Sequence, residues 1–141
     1  TEAILNGHPI DVFNNGKMER DFTYIDDLVF ALDKLIDCSP SNEKVNGRVD
    51  SNIDSISPYA PFRIVNIGNS EPVKLLNFIS KIEKHTRKKA IKSFKPMQSG
   101  DVVMTAANTD LLEQLIKFRP NTGIDEGIKR FVDWYKNYYG A

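Results

Sequence analysis

The chain is poor in the features that would send it outside the cell, into a membrane or onto a polyanion. It has one cysteine, Cys38, so no internal disulfide can form. That residue falls on a helical pattern where a buried free thiol is the ordinary reading, and a reducing cytoplasm is the compartment expected by default. No apolar run approaches about 18 residues, the length a spanning helix needs, so no membrane partner is expected. Charge of one sign is also lacking, with 19 basic against 19 acidic side chains. The densest basic run, Lys81 to Lys95, is interrupted by Ile82, Glu83, Ala90, Ile91 and Phe94. It lacks the sustained positive surface that phosphate backbones require, and no nucleic-acid partner is expected. The two histidines, His8 and His85, are not spaced with any Cys, Asp or Glu cluster as metal ligands; both read as surface residues, and no metal site is expected.

What is present suits one modest core, with 40% hydrophobic residues and helical and strand periods alternating along the chain. Thr1 to Asn6 reads as the last turns of a helix with Gly7 as its C-cap, which suggests a fragment of a longer protein. Ile10 to Phe13 is a short strand, Asn14-Asn15-Gly16 a tight turn, and Arg20 to Ile25 a second extended piece, so Pro9 to Asp27 reads as a ligand-facing hairpin. Asp26 is expected to cap a helix running to Asp37, with Leu28, Val29, Leu32, Leu35 and Ile36 on one face. Ser39 to Pro61 has neither period and is a loop. Phe62 to Ile67 is almost continuously apolar and closed by Gly68, the pattern of a strand covered on both faces.

Beyond it, a helix is expected from about Val73 to His85 with Pro72 in its first turn, then a strand from Ala90 to Phe94 and a loop from Pro96 to Asp101. Asp110-Leu-Leu-Glu113 is a capping-box pattern for a helix through Ile116, and Thr122-Gly-Ile-Asp125 opens the last helix. That helix carries Ile124, Ile128, Phe131, Val132 and Tyr135 inward and pairs Asp125 with Lys129 and Glu126 with Arg130 outside. No repeat and no domain boundary is visible. The class is α/β, with a few short strands and about four helices.

Three places could carry chemistry. Arg20 offers the forked guanidinium that a diphosphate asks for, although by spacing alone a solvated surface arginine is the favoured reading. Asp101, after Gly100, could accept both hydroxyls of a ribose or simply bond its own turn. Asn66-Ile67-Gly68-Asn69-Ser70 looks superficially like a phosphate loop, but one glycine is weak support, and ordinary turn chemistry with Asn69 or Ser70 as a helix cap is favoured.

An apolar strand, a Gly-containing turn, then Arg20-Asp21-Phe22-Thr23-Tyr24-Ile25-Asp26-Asp27 resembles the C-terminal half of the extended short-chain dehydrogenase/reductase family, the NAD-dependent nucleotide-sugar epimerases and dehydratases. The resemblance continues through Gly68 and Gly100-Asp101 to Phe131-Val-Asp-Trp-Tyr135. It implies that Arg20 grips the nucleotide diphosphate, that backbone groups around Asp11 and Phe13 meet the uracil edge, and that Asp101 takes the ribose. Read without the family, Phe13 is simply core. Gln98 stands where galactose epimerases have a second phosphate-binding arginine, which agrees better with the uronate epimerase branch and its Pro-Met-Gln.

The family's reaction also needs a dinucleotide glycine turn and a tyrosine followed four residues later by lysine. Neither occurs here: Tyr24 leads to Leu28, Tyr59 to Arg63 and Tyr135 to Tyr139. The resemblance therefore implies a UDP-sugar-binding portion over 1–141 without catalytic residues, inactive alone, whose full-length enzyme would use NAD. A 4,6-dehydratase, a decarboxylating synthase and a non-catalytic binding or assembly module remain alternatives. It further implies that Phe62 to Ile67 and the helix from Asp26 lose their cover when the dinucleotide domain is absent, so that the isolated chain self-associates.

Overall fold

The computed structural model describes residues 1–40, 50 and 52–140; part of the expected Ser39 to Pro61 loop, 41–49 and 51, lies outside the described residues. The chain forms two compact units, one of Thr1–Arg20, Pro72–Thr105 and Gly123–Ala141, the other of Asp21–Glu71 and Ala106–Thr122. Because segments of the two alternate along the chain, no linear boundary exists for composition to reveal. Five helices and four short strands occur among the described residues, an α/β arrangement.

In the first unit, α1 (Glu2–Asn6) ends at Gly7 in the left-handed conformation, φ 70°. Next comes β1 (Pro9–Val12), whose partner is not the following strand but β4 (Ile91–Phe94), in parallel, with Pro9 opposite Ile91 and Val12 opposite Phe94. The expected hairpin is thus corrected. A two-residue hairpin loop needs left-handed backbone twice; here Asn14, Asn15 and Gly16 adopt it in succession (φ 50°, 50° and 77°), and Asn15 N–H donates to Lys95 O, just past β4. A Cβ on Gly16 would lie 2.8 Å from Leu76 Cγ, so the turn is also packed too tightly for a side chain.

β2 (Glu19–Asp21) pairs with β3 (Pro72–Lys74), the segment expected to be the first helical turn. α3 (Leu75–Thr86) therefore starts later than the periodicity suggests, its opening N–H, on Leu75, donating to Met18 O at 2.8 Å. Ile4, Ile82, Ile128 and Val132 form the buried centre, with Ile10, Phe78, Ala90 and Ile124 packed around it.

α5 (Ile124–Tyr139) supplies two of those four residues, but Phe131 stays exposed against expectation. It joins Trp134, Tyr135, Tyr138 and Tyr139 in an aromatic cluster along the helix. Gly123, not Thr122, is the N-cap of α5. The outer pairing is half as expected: Glu126 takes Arg130 at 2.7 Å, whereas Asp125 turns to Lys84 and Lys81 and Lys129 pairs with Asp133. His85 is not a plain surface residue either, because its Nε2 sits 3.3 Å from Asp125 Oδ1 with the ring mostly covered. One buried carboxylate anchors the α3–β4 connection: Glu83 accepts from Ala90 N–H and Lys92 Nζ, which hold its pKa below the usual carboxylate range.

In the second unit, α2 (Ile25–Ile36) has Tyr24 as N-cap with no side-chain cap bond, so Asp26 is not the cap. Asp26 and Asp27 lie in the first turn, where they complement the helix dipole, and Asp27 also accepts from Asn121 and Thr122 N–H. The apolar face is largely bare: Val29, Leu32 and Ile36 are exposed and only Ala31 is buried. Cys38 is half-buried, its Sγ 3.5 Å from Leu115 O. α4 (Asp110–Ile116) forms as expected but starts at Thr109 as N-cap without a capping-box bond; Asp110 instead engages Arg119.

Phe62 to Ile67 runs without forming a strand, because a ladder needs a partner and none pairs with it among the described residues. Ile64 is 63% exposed. No helix of the described residues is long and apolar enough to cross a membrane, and no metal-ligating cluster occurs among them.

Candidate functional site: an arginine–aspartate pair beside a parallel ladder

Parallel pairing of β1 with β4 sends both strands out at the same edge. Phe13 follows one carboxyl end and the Lys95 to Asp101 segment follows the other. In open α/β sheets ligands settle outside such carboxyl ends. The ladder is extended there by Lys95 N–H donating to Val12 O and Asn15 N–H donating to Lys95 O, both at 3.0 Å.

Arg20 is the middle residue of β2. Its Nη1 donates to the carbonyls of Glu19 and Val103, at 2.9 and 3.2 Å, and its Nη2 meets Asp101 Oδ1 at 2.7 Å. The backbone beneath is fixed as well, since Glu19 N–H donates to Val103 O and Thr105 N–H to Glu19 O. Asp101 closes a turn with its N–H on Gln98 O, after Gly100 in left-handed backbone at φ 81°. The same Oδ1 also accepts from Val102 N–H at 2.9 Å. The pair is half-buried, which strengthens it relative to a fully solvated contact while leaving the groups reachable.

Two of the five expected site residues are therefore in direct contact, and Gln98 is tied to them through its carbonyl, with its side chain exposed. Asp11 lies in the ladder, opposite Ser93 and 3.9 Å from Lys95 Nζ, and Phe13 starts the 3-10 turn after it, half-buried. Sequence reasoning missed the two carbonyls that aim Arg20, because main-chain acceptors leave no trace in residue identity.

It also missed Asp21. In the second unit its carboxylate accepts from the N–H groups of Asn69, Ser70 and Ala107 at 3.0–3.1 Å. This explains Asn66 to Ser70. Those N–H groups are already taken, no helix begins there, and a Cβ on Gly68 would meet Ala107 Cβ at 2.5 Å. The segment is turn chemistry, as expected, but neither residue caps a helix. The sequence contains no dinucleotide glycine turn and no Tyr-x-x-x-Lys.

Known proteins resemble this chain. The family model for the NAD dependent epimerase/dehydratase family matches residues 1–47. Together with the fold and with the relatives that follow, this makes the chain similar to the extended short-chain dehydrogenase/reductase epimerases. Within that class the likeness is to UDP-glucuronate 4-epimerases. A probable UDP-glucuronate 4-epimerase of Rhizobium meliloti is 46% identical over 140 residues, covering 98% of this chain and 40% of the relative. UDP-glucuronate 4-epimerase 1 of Arabidopsis thaliana is 36% identical over 144 residues, covering 99% and 32%. The crystal structure of UDP-glucuronic acid 4-epimerase from Bacillus cereus in complex with UDP-glucuronic acid and NAD superposes with a TM-score of 0.74 at 25% identity, covering 98% of this chain and 38% of that one. The chain thus spans two fifths or less of the length of these relatives.

Proposed function

We propose that this chain is the UDP-sugar-binding portion of an NAD-dependent UDP-sugar 4-epimerase that, as a full-length protein, interconverts UDP-glucuronate and UDP-galacturonate. The observation that carries the reading is the Arg20–Asp101 contact at 2.7 Å, which joins a phosphate-gripping cation to a ribose-accepting carboxylate beside the carboxyl ends of a parallel ladder. The 46% identity to a relative of that name supports it. In this reading Arg20 binds the diphosphate, Asp101 the ribose, backbone groups near Asp11 and Phe13 the uracil, and Gln98 lies along the phosphates. The hydride-passing NAD and the tyrosine base with its lysine belong to residues outside this chain, which is inactive by itself. The bare face of α2 and the unpaired 62–67 segment are the surfaces the rest of the protein covers; without it, copies of this chain associate through them.

The test is to incubate the full-length protein with NAD and UDP-glucuronate. Appearance of UDP-galacturonate is expected; a 4-keto-6-deoxy sugar or a decarboxylated pentose as product would overturn the assignment.

A further inference from the structure

The carboxylate of Asp101 is used unevenly. Oδ1 receives two hydrogen bonds, from Arg20 Nη2 and Val102 N–H, whereas Oδ2 has no protein donor among the described residues. A carboxylate on a surface turn ordinarily swings about its last torsion, whose profile is broad and two-fold. Here two donors on one oxygen fix its plane. Arg20, the stronger of those donors, is itself fixed by the Glu19 and Val103 carbonyls. Of the five guanidinium N–H groups, those three acceptors leave Nε–H and one on Nη2 for a ligand.

We propose that Arg20 is a positioning residue for ribose recognition as well as a diphosphate ligand. By holding Asp101 Oδ1 it presents Oδ2 to the ribose hydroxyls, and this makes the site selective for ribonucleoside over deoxyribonucleoside diphosphate sugars. The inference rests on the reading above, in which Asp101 faces the ribose and Arg20 the diphosphate. It adds that the two recognitions are one unit: the order imposed on the carboxylate comes from the guanidinium, and a hydrogen bond to a charged, pre-oriented acceptor discriminates more strongly than one to a mobile acceptor.

A selectivity ratio isolates this. Removing Arg20 lowers affinity for any nucleoside diphosphate, and it leaves the Asp101 charge to repel the diphosphate. Both effects act equally on a nucleotide with ribose hydroxyls and one without, so they cancel in the ratio of the two affinities.

The experiment is titration of the full-length protein with UDP and with 2′,3′-dideoxy-UDP, in wild type and in Arg20→Ala, Arg20→Lys and Asp101→Ala. Wild type should prefer UDP by roughly tenfold or more. Arg20→Ala should bind both more weakly and shrink the preference to about threefold or less. Arg20→Lys, which keeps the charge but not the fork, should fall between, and it serves if the alanine variant does not fold. Asp101→Ala should show almost no preference. Arg20 variants that weaken both nucleotides with the ratio intact would overturn the proposal while leaving Arg20 as a diphosphate ligand. An Arg20→Ala protein that binds UDP as well as wild type would overturn the underlying reading instead, and a preference kept in Asp101→Ala would remove Asp101 from the ribose.

Discussion

Arg20 illustrates how a flexible cation becomes a defined one. Its side chain would lose rotamer freedom on binding a ligand, but contacts to two carbonyls and one carboxylate have already restricted it. In the full-length protein, Arg20→Ala should weaken UDP-sugar binding by roughly 2–4 kcal/mol, and Arg20→Lys should recover only part, because an ammonium cannot reproduce two parallel donors. Calorimetric titration with UDP checks this, and unchanged affinity in both variants would make Arg20 a surface residue. Gly68 is another residue whose identity the packing demands. Adding a methyl would force it to 2.5 Å from Ala107 Cβ and 2.8 Å from Asp21 Oδ2. Gly68→Ala should cost about 1–3 kcal/mol, read as a lowered urea midpoint, since relief requires moving backbone that Asp21 holds. An unchanged midpoint would show the turn to be soft.

Among the elements, the α3–β4 connection hangs on Glu83, which is buried and bonded to Lys92 and Ala90 N–H. Lys92 and the Ala90 amide hold its folded pKa below the usual carboxylate value, and burial opposes them. The sign follows. A carboxylate whose pKa is depressed by folding contributes stability that is fully present above its unfolded pKa and is lost as pH falls through the folded one. Glu83→Gln should therefore destabilise the chain at neutral pH by about 1–3 kcal/mol. The gap from wild type should close as the solution is acidified below the normal carboxylate range, which denaturation midpoints measured from pH 7 to pH 3 would show. A gap that stays constant across that range would mean the ionised form is not what matters.

At the scale of the whole molecule, α2 exposes Val29, Leu32 and Ile36, and the 62–67 segment, which joins no ladder among the described residues, exposes Ile64. The chain alone should self-associate at high concentration in sedimentation experiments. Ile64→Asp should disrupt the assembly, whereas a change at Lys129, exposed and paired with Asp133, should not. A strictly monomeric chain whose 62–67 amides resist hydrogen exchange would show internal cover and overturn this. On the proposed function, incubating the chain alone with NAD and UDP-glucuronate should yield no UDP-galacturonate.

Periodicity in the sequence was enough for the helices at α2 and α5 and for the body of α3, because an amphipathic face repeats every three to four residues whatever it packs against. Turn chemistry was enough for Gly7 and for Asn14 to Gly16, since left-handed backbone restricts residue type locally. The Arg-Asp-aromatic motif was enough to single out Arg20, and Gly-Asp to single out Asp101. Only the tertiary structure decided that β1 pairs with β4 instead of returning as a hairpin, and that Pro72–Lys74 is strand and not helix. It alone showed that 62–67 joins no strand ladder among the described residues and that Arg20 and Asp101, 81 residues apart, share a hydrogen bond. Strand partnership and side-chain pairing are non-local: they depend on which backbone edge and which charge arrive nearby once the core has closed, and composition and spacing carry no record of that.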